Sequence, residues 1–157
     1  MASGWYSTGL KKCLDGTIAL GTTTLKVMLV NSAYSFDPDL DTLDDGTSSD
    51  PNSKELVCTN YTGNYGGSGR KTATVTLQTN DTSNRVDIAI ANLTWTALGG
   101  ATNDTIGGAI LCYETGGSDS TAIPIAFFDL TDTPTNGSDI TLSMTSLGSG
   151  GNLRISV

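Results

Sequence analysis

Apolar and polar residues alternate through the middle of the chain. Ala73, Val75 and Leu77 interleave with Thr72, Thr74 and Thr76, the segment Thr79-Asn80-Asp81-Thr82-Ser83-Asn84 supplies a polar turn, and Val86, Ile88 and Ile90 resume the alternation. A period of two among β-branched residues on both sides of an Asn/Asp/Ser turn predicts two antiparallel strands with one buried face. Val75, Leu77, Val86, Ile88 and Trp95 are expected to share that face. Residues 25–30 are apolar with little polar relief, which predicts a strand covered on both sides. Further strands are predicted at 56–59, 93–97, 106–113, 123–130, 140–144 and 153–157, separated by segments rich in Gly, Asn, Asp and Thr. Near the start, Trp5, Tyr6, Gly9, Leu10, Cys13 and Leu14 recur at helical spacing, with Ser3 placed to cap and Asp15-Gly16 placed to stop one short amphipathic helix.

About eight short strands must cover each other's apolar faces, so the pattern predicts an all-β fold: an antiparallel β-sandwich, jelly-roll or Ig-like, with one short N-terminal helix. The 157 residues read as one domain spanning 1–157, with a helix or arm at 1–16. Residues 31–54 hold Asp37, Asp39, Asp41, Asp44, Asp45 and Asp50 together with Pro38, Gly46 and Pro51, which predicts a long, mobile acidic surface loop. Trp95, flanked by Thr94 and Thr96, is expected to pack between two sheets.

Charge narrows the range of partners. The formal net charge is −8, so nucleic-acid backbones and anionic membranes, both negative, are expected not to bind. Cys13, Cys58 and Cys112 are an odd set without C-x-x-C spacing, and buried free thiols are expected. The first residues lack a basic region followed by an apolar run, so no secretory leader is expected, and synthesis in the cytoplasm follows.

Candidate chemistry is sparse. The chain contains no histidine, which removes any Ser-His-Asp triad or His-ligated zinc within it. The spacing of Asp37, Asp39 and Asp41 suits a calcium loop in part, but Thr42 stands where glycine is needed and Ser48 where a bidentate glutamate is needed, so a solvated loop is expected. Only Glu55 and Glu114 accompany fourteen Asp residues, and no pair can be placed in one inward-facing cleft as glycoside chemistry requires. Gly63 to Gly69 lacks the G-K-[ST] and following helix of a phosphate loop. No catalytic residue, cofactor or metal site is therefore assigned. Tyr61 and Tyr65, in glycine-rich sequence, are the aromatic candidates for exposure, and Trp5 and Tyr6, bordered by polar residues, are candidate anchors for a partner.

Several of these residues also carry a family resemblance. Gly4-Trp5-Tyr6, Gly9-Leu10-Lys11 and Leu14-Asp15-Gly16, then Leu25-Lys26-Val27-x-Leu29-Val30-x-Ser32-x-Tyr34, the Gly-rich segment from Tyr61-Thr62-Gly63 to Lys71-Thr72, Val86-x-Ile88, Leu93-Thr94-Trp95-Thr96 and Ala126-x-Phe128-Asp129 resemble small virion structural proteins of tailed bacteriophages, over nearly the whole chain. The resemblance implies a non-enzymatic capsid decoration or cement protein on the virion surface, bridging capsomers, with the major capsid protein and its own copies as partners. Local three-fold positions in icosahedral lattices favour a trimer. The alternative is a tail or receptor-binding β-sandwich module recognising host glycan, and a hydrolase is the third reading.

Overall fold

The computed structural model describes residues 3–82, 84–144 and 153–156. In chain order the elements are β1 (Gly4–Trp5), α1 (Ser7–Leu14), β2 (Leu25–Asn31), β3 (Lys71–Ala73), β4 (Val75–Asn80), β5 (Arg85–Leu98), β6 (Thr105–Tyr113), β7 (Ile123–Pro134), β8 (Ser138–Met144) and β9 (Leu153–Ser156). One antiparallel sheet runs β1-β7-β6-β2-β3 and the other β4-β5-β8, with β9 also on β5. The fold is all-β and sandwich-like, with a single short helix among the described residues. β3 passes into β4 through Thr74 alone, so one chain segment ties the edge of the first sheet to the edge of the second.

Side-chain alternation explains the layers. Leu25, Val27 and Leu29 of β2 point into the main core with Ile88, Ile90, Trp95, Ala109, Leu111 and Phe128, while Met28 and Val30 point to the opposite face. That outer face is buried as well. Tyr34, Phe36, Leu40 and Leu43 of the 31–54 segment lie across it and pack with Tyr6, Ile110, Cys112 and Phe127. Phe36 stacks on Phe127 with centroids 5.2 Å apart and meets Tyr6 edge-on at 5.1 Å. The acidic segment is thus a belt pinned by apolar residues and not the loosely attached loop expected. Its spaced aromatics find an uncovered sheet face, and Asp37, Asp39, Asp41 and Asp45 stay outside while Asp50 is buried.

Several boundaries move. Gly4 and Trp5 pair with Phe127 and Ala126 as β1, so the helix starts at Ser7, after Tyr6, and Ser3 does not cap it. The free edge of β7 outbids helical spacing here: Tyr6 N–H donates to the Ile125 carbonyl at 3.0 Å. Gly9 then lets the helix lie against the strand, because a Cβ there would strike the backbone of Pro124 and Ile125. Residues 56–59 form no strand; one isolated bridge, Val30 to Glu55, stands in for it. The strands predicted at 86–90 and 93–97 are one continuous β5, kinked by register shifts on either side of Leu93–Trp95, with Ala97 left-handed at φ 49°. Residue 157 lies outside the described residues.

The shared core face also stops short of its expected end. Ile88 and Trp95 are buried, and Val75 packs against the core, but Leu77 is 48% exposed although it sits opposite Ile88. Its face is the inner one, yet the first sheet does not reach that far along the β4–β5 hairpin. Ile88→Ala is accordingly expected to cost about 2–5 kcal/mol through lost transfer energy and cavity formation, and Leu77→Ala about 1 kcal/mol or less. Coincident urea midpoints for the two variants would refute this placement.

Candidate functional site

The most concentrated ionisable chemistry is an arginine knot. Arg70, fully buried, ends the glycine-rich segment, and its guanidinium uses every nitrogen. Nε and Nη2 form a fork on Glu55 at 2.8 and 2.6 Å, Nη1 reaches Asp119 at 2.5 Å and Glu114 at 3.0 Å, and Nη2 also reaches Asp119 at 3.1 Å. Three carboxylates around one cation leave an excess of negative charge, which the backbone offsets. Three successive N–H groups, of Asn64, Tyr65 and Gly66, donate to Glu55, Asp119 and Glu114 at 2.8, 3.1 and 3.1 Å. Asn64 and Gly66 take positive φ to aim them, the backbone geometry of an anion-binding nest. The 61–70 loop thus spends its anion-binding geometry on the protein's own carboxylates.

Tyr61 completes the knot: its hydroxyl donates to Glu55 at 3.0 Å and accepts the Leu29 N–H at 3.0 Å. Burial, and then Glu55, push its phenol well above the ordinary range. Burial opposes the charge on Arg70, but the hydrogen bonds it donates to Glu55 and Asp119 outweigh it and hold the guanidinium protonated. Glu55, Glu114 and Asp119, which the sequence does not place together, converge around an arginine and away from solvent. With every nitrogen of the guanidinium engaged, the knot clamps the 61–70 loop to Glu55, bridged to β2, and to the segment that follows β6.

The four aromatic candidates for partner contact do not form one surface. Tyr6 is fully buried, its hydroxyl 2.6 Å from that of Tyr34, and Tyr61 is 8% exposed. Trp5 packs against the main core and Tyr65 against the outer one, both half-buried. Trp95 is a core ring, as expected, with its indole N–H donating to the Gly69 carbonyl at 2.6 Å. Cys58 and Cys112 are buried free thiols, whereas Cys13 is half-exposed and pushed up to about 11 by burial and the nearby Asp15.

In the belt, Asp37, Asp44 and Asp45 each accept a backbone N–H two residues on, and Asp50 accepts that of Ser53. Their carboxylates hold local turns. A chelator is expected to leave the thermal midpoint unchanged, since an ion stabilises only a native state that binds it; a fall of many degrees would overturn that reading.

What the surface does offer is an apolar groove of 610 Å³ between the helix and the protruding hairpin, lined by Cys13, Leu14, Ile18, Leu20, Leu77 and Ile88 among others. Leu14, 67% exposed, and Leu77 stand at its rim. A second depression, polar and 440 Å³, is lined by Asn60, Thr62, Ser68, Lys71 and Thr96 beside Trp95. Neither was visible in the sequence, because each joins elements distant along the chain.

The described residues form an all-β, sandwich-like protein with an internally consumed ion cluster and an open apolar groove. Among the described residues no helix is long and apolar enough to cross a membrane, and no group of three or more Cys, Asp or Glu is placed to hold a metal ion. Comparison with known protein families, characterised proteins and solved structures finds no match.

Proposed function

We propose that this chain is a structural protein of a tailed-phage virion, a capsid decoration protein that binds the major capsid protein from outside and bridges capsomers. The sequence resemblance supplies the class. The observation that supports the mode of action is the solvent-open apolar groove with Leu14 and Leu77 at its rim, which offers apolar area for contact with another macromolecule. The arginine knot and the pinned belt add to it, since they hold long loops in fixed shape, and a bridging protein transmits force only through ordered loops. Each copy binds modestly, and many copies on one lattice give a large collective effect.

Purified protein is expected to bind empty shells lacking it and to raise the temperature at which those shells release their contents. Shells that neither bind it nor gain stability would defeat the proposal. A second reading has its own observation: the polar depression at Asn60, Thr62, Ser68 and Lys71 offers the amide, hydroxyl and cationic groups that hydrogen-bond sugars, as a tail or receptor-binding module requires. Retention on host glycans together with unchanged shell stability would select it.

A further inference from the structure

We infer that β4 is a self-association edge, through which two copies of this chain pair antiparallel across a two-fold axis. In the second sheet, among the described residues, β4 has a strand neighbour on one side only, β5. Beyond Val75 it also stands clear of the body: Thr76, Leu77, Gln78 and Thr79 are all exposed, so both of its faces and its outer edge meet solvent. A bare ladder of N–H and C=O groups accepts an extended strand, and natural edges are usually blunted by charge, proline or a bulge. Val75-Thr76-Leu77-Gln78-Thr79-Asn80 has no charge and no proline, and its register with β5 is regular throughout.

Charge selects a second copy as the occupant. The chain carries 16 acidic residues against 8 basic ones, so copies repel over most orientations. β4 and the residues lining the adjoining groove carry none of these charges. Of the charged residues near its two ends, Lys71 of β3 lies before it and Asp81 follows it, with Arg85 of β5 opposite Asn80. Antiparallel self-pairing brings Asp81 of each copy towards Lys71 of the other, and the two Leu77 side chains with their grooves come side by side. A parallel, head-to-tail pairing would set like beside like. The two-fold is isologous and closes after two copies, in contrast to the three-fold oligomer that capsid geometry favours. The inference stands whether or not the chain belongs to a virion.

Sedimentation of the purified full chain tests it, with amide hydrogen exchange on the same samples. A concentration-dependent dimer is expected, in which amides of residues 75–80 gain protection as concentration rises. Thr79→Lys, which places a charge on the bare edge, should weaken the dimer at least tenfold. Lys71→Asp and Asp81→Lys should each weaken it, and the two together should restore it. A monomer at every concentration, a trimer, or a dimer whose β4 amides exchange at a concentration-independent rate would overturn the inference. So would an unchanged dimer in Thr79→Lys. The exchange measurement needs no variant, so a substitution that fails to fold leaves the test intact.

Discussion

Arg70→Ala is expected to destabilise the protein by about 3–5 kcal/mol, because deleting one partner of a buried ion cluster leaves the remaining charges uncompensated. Three carboxylates would then face one another behind the 61–70 loop, held by the N–H groups of Asn64, Tyr65 and Gly66 and the Tyr61 hydroxyl but by no cation. The loop should open before the sheets do, so amides of 62–69 should lose exchange protection beyond the global loss. Arg70→Lys should recover only part of the difference, since an ammonium keeps the charge but cannot form the fork on Glu55 or reach three acids at once. A urea midpoint for Arg70→Ala within about 1 kcal/mol of the parent would show that the knot contributes little to stability.

Alkaline pH should unfold the protein over a narrow range. Burial raises the phenols of Tyr6 and Tyr61 and the thiol of Cys112 above their ordinary ranges, and pushes Tyr34 up to about 12. The native state holds these protons while the unfolded chain releases them, so stability is intact below the ordinary thiol and phenol values and falls as pH rises through them. With Tyr6, Tyr61 and Cys112 contributing, the slope above pH 10 is about 4 kcal/mol per pH unit, which brings unfolding at roughly pH 11–12 for a protein of ordinary stability. Tyr6→Phe should flatten the slope by about one proton's share. If all five tyrosines ionised near the ordinary phenol value while circular dichroism stayed native, the buried-proton account would be wrong.

What was legible in the sequence was parity and class. The alternation around Val75 and Ile88, the doubly covered β2 and the core position of Trp95 each follow from nearest-neighbour pattern, and the sheets place them so. What was illegible depended on pairing between distant segments. Trp5 and Tyr6 have helical spacing, but the edge of β7 captures them first. Leu77 has the right parity, but only the extent of the opposite sheet decides whether a face is covered. The knot joins residues 15, 44 and 49 positions apart, so no local motif announces it. Its one trace in composition is scarcity: the chain has two glutamates, Glu55 and Glu114, and both converge on the same arginine. In the belt, the run of aspartates drew attention away from Tyr34, Phe36, Leu40 and Leu43, whose spacing carries the structural role.

The same separations bear on time as well as on free energy. A guanidinium that must bind Glu55 on one segment and Glu114 and Asp119 on another, 44 and 49 positions away, is expected to engage them all only after β2 and β6 have paired, so the knot should close late in a slow, long-range topology. Contacts absent from the transition state act almost wholly on the unfolding rate. Arg70 is therefore a latch on the exit path: it does little to hasten folding and much to lengthen the lifetime of the folded molecule. A protein secured in this way endures by the slowness of its escape, so its working lifetime is set by a rate more than by an equilibrium.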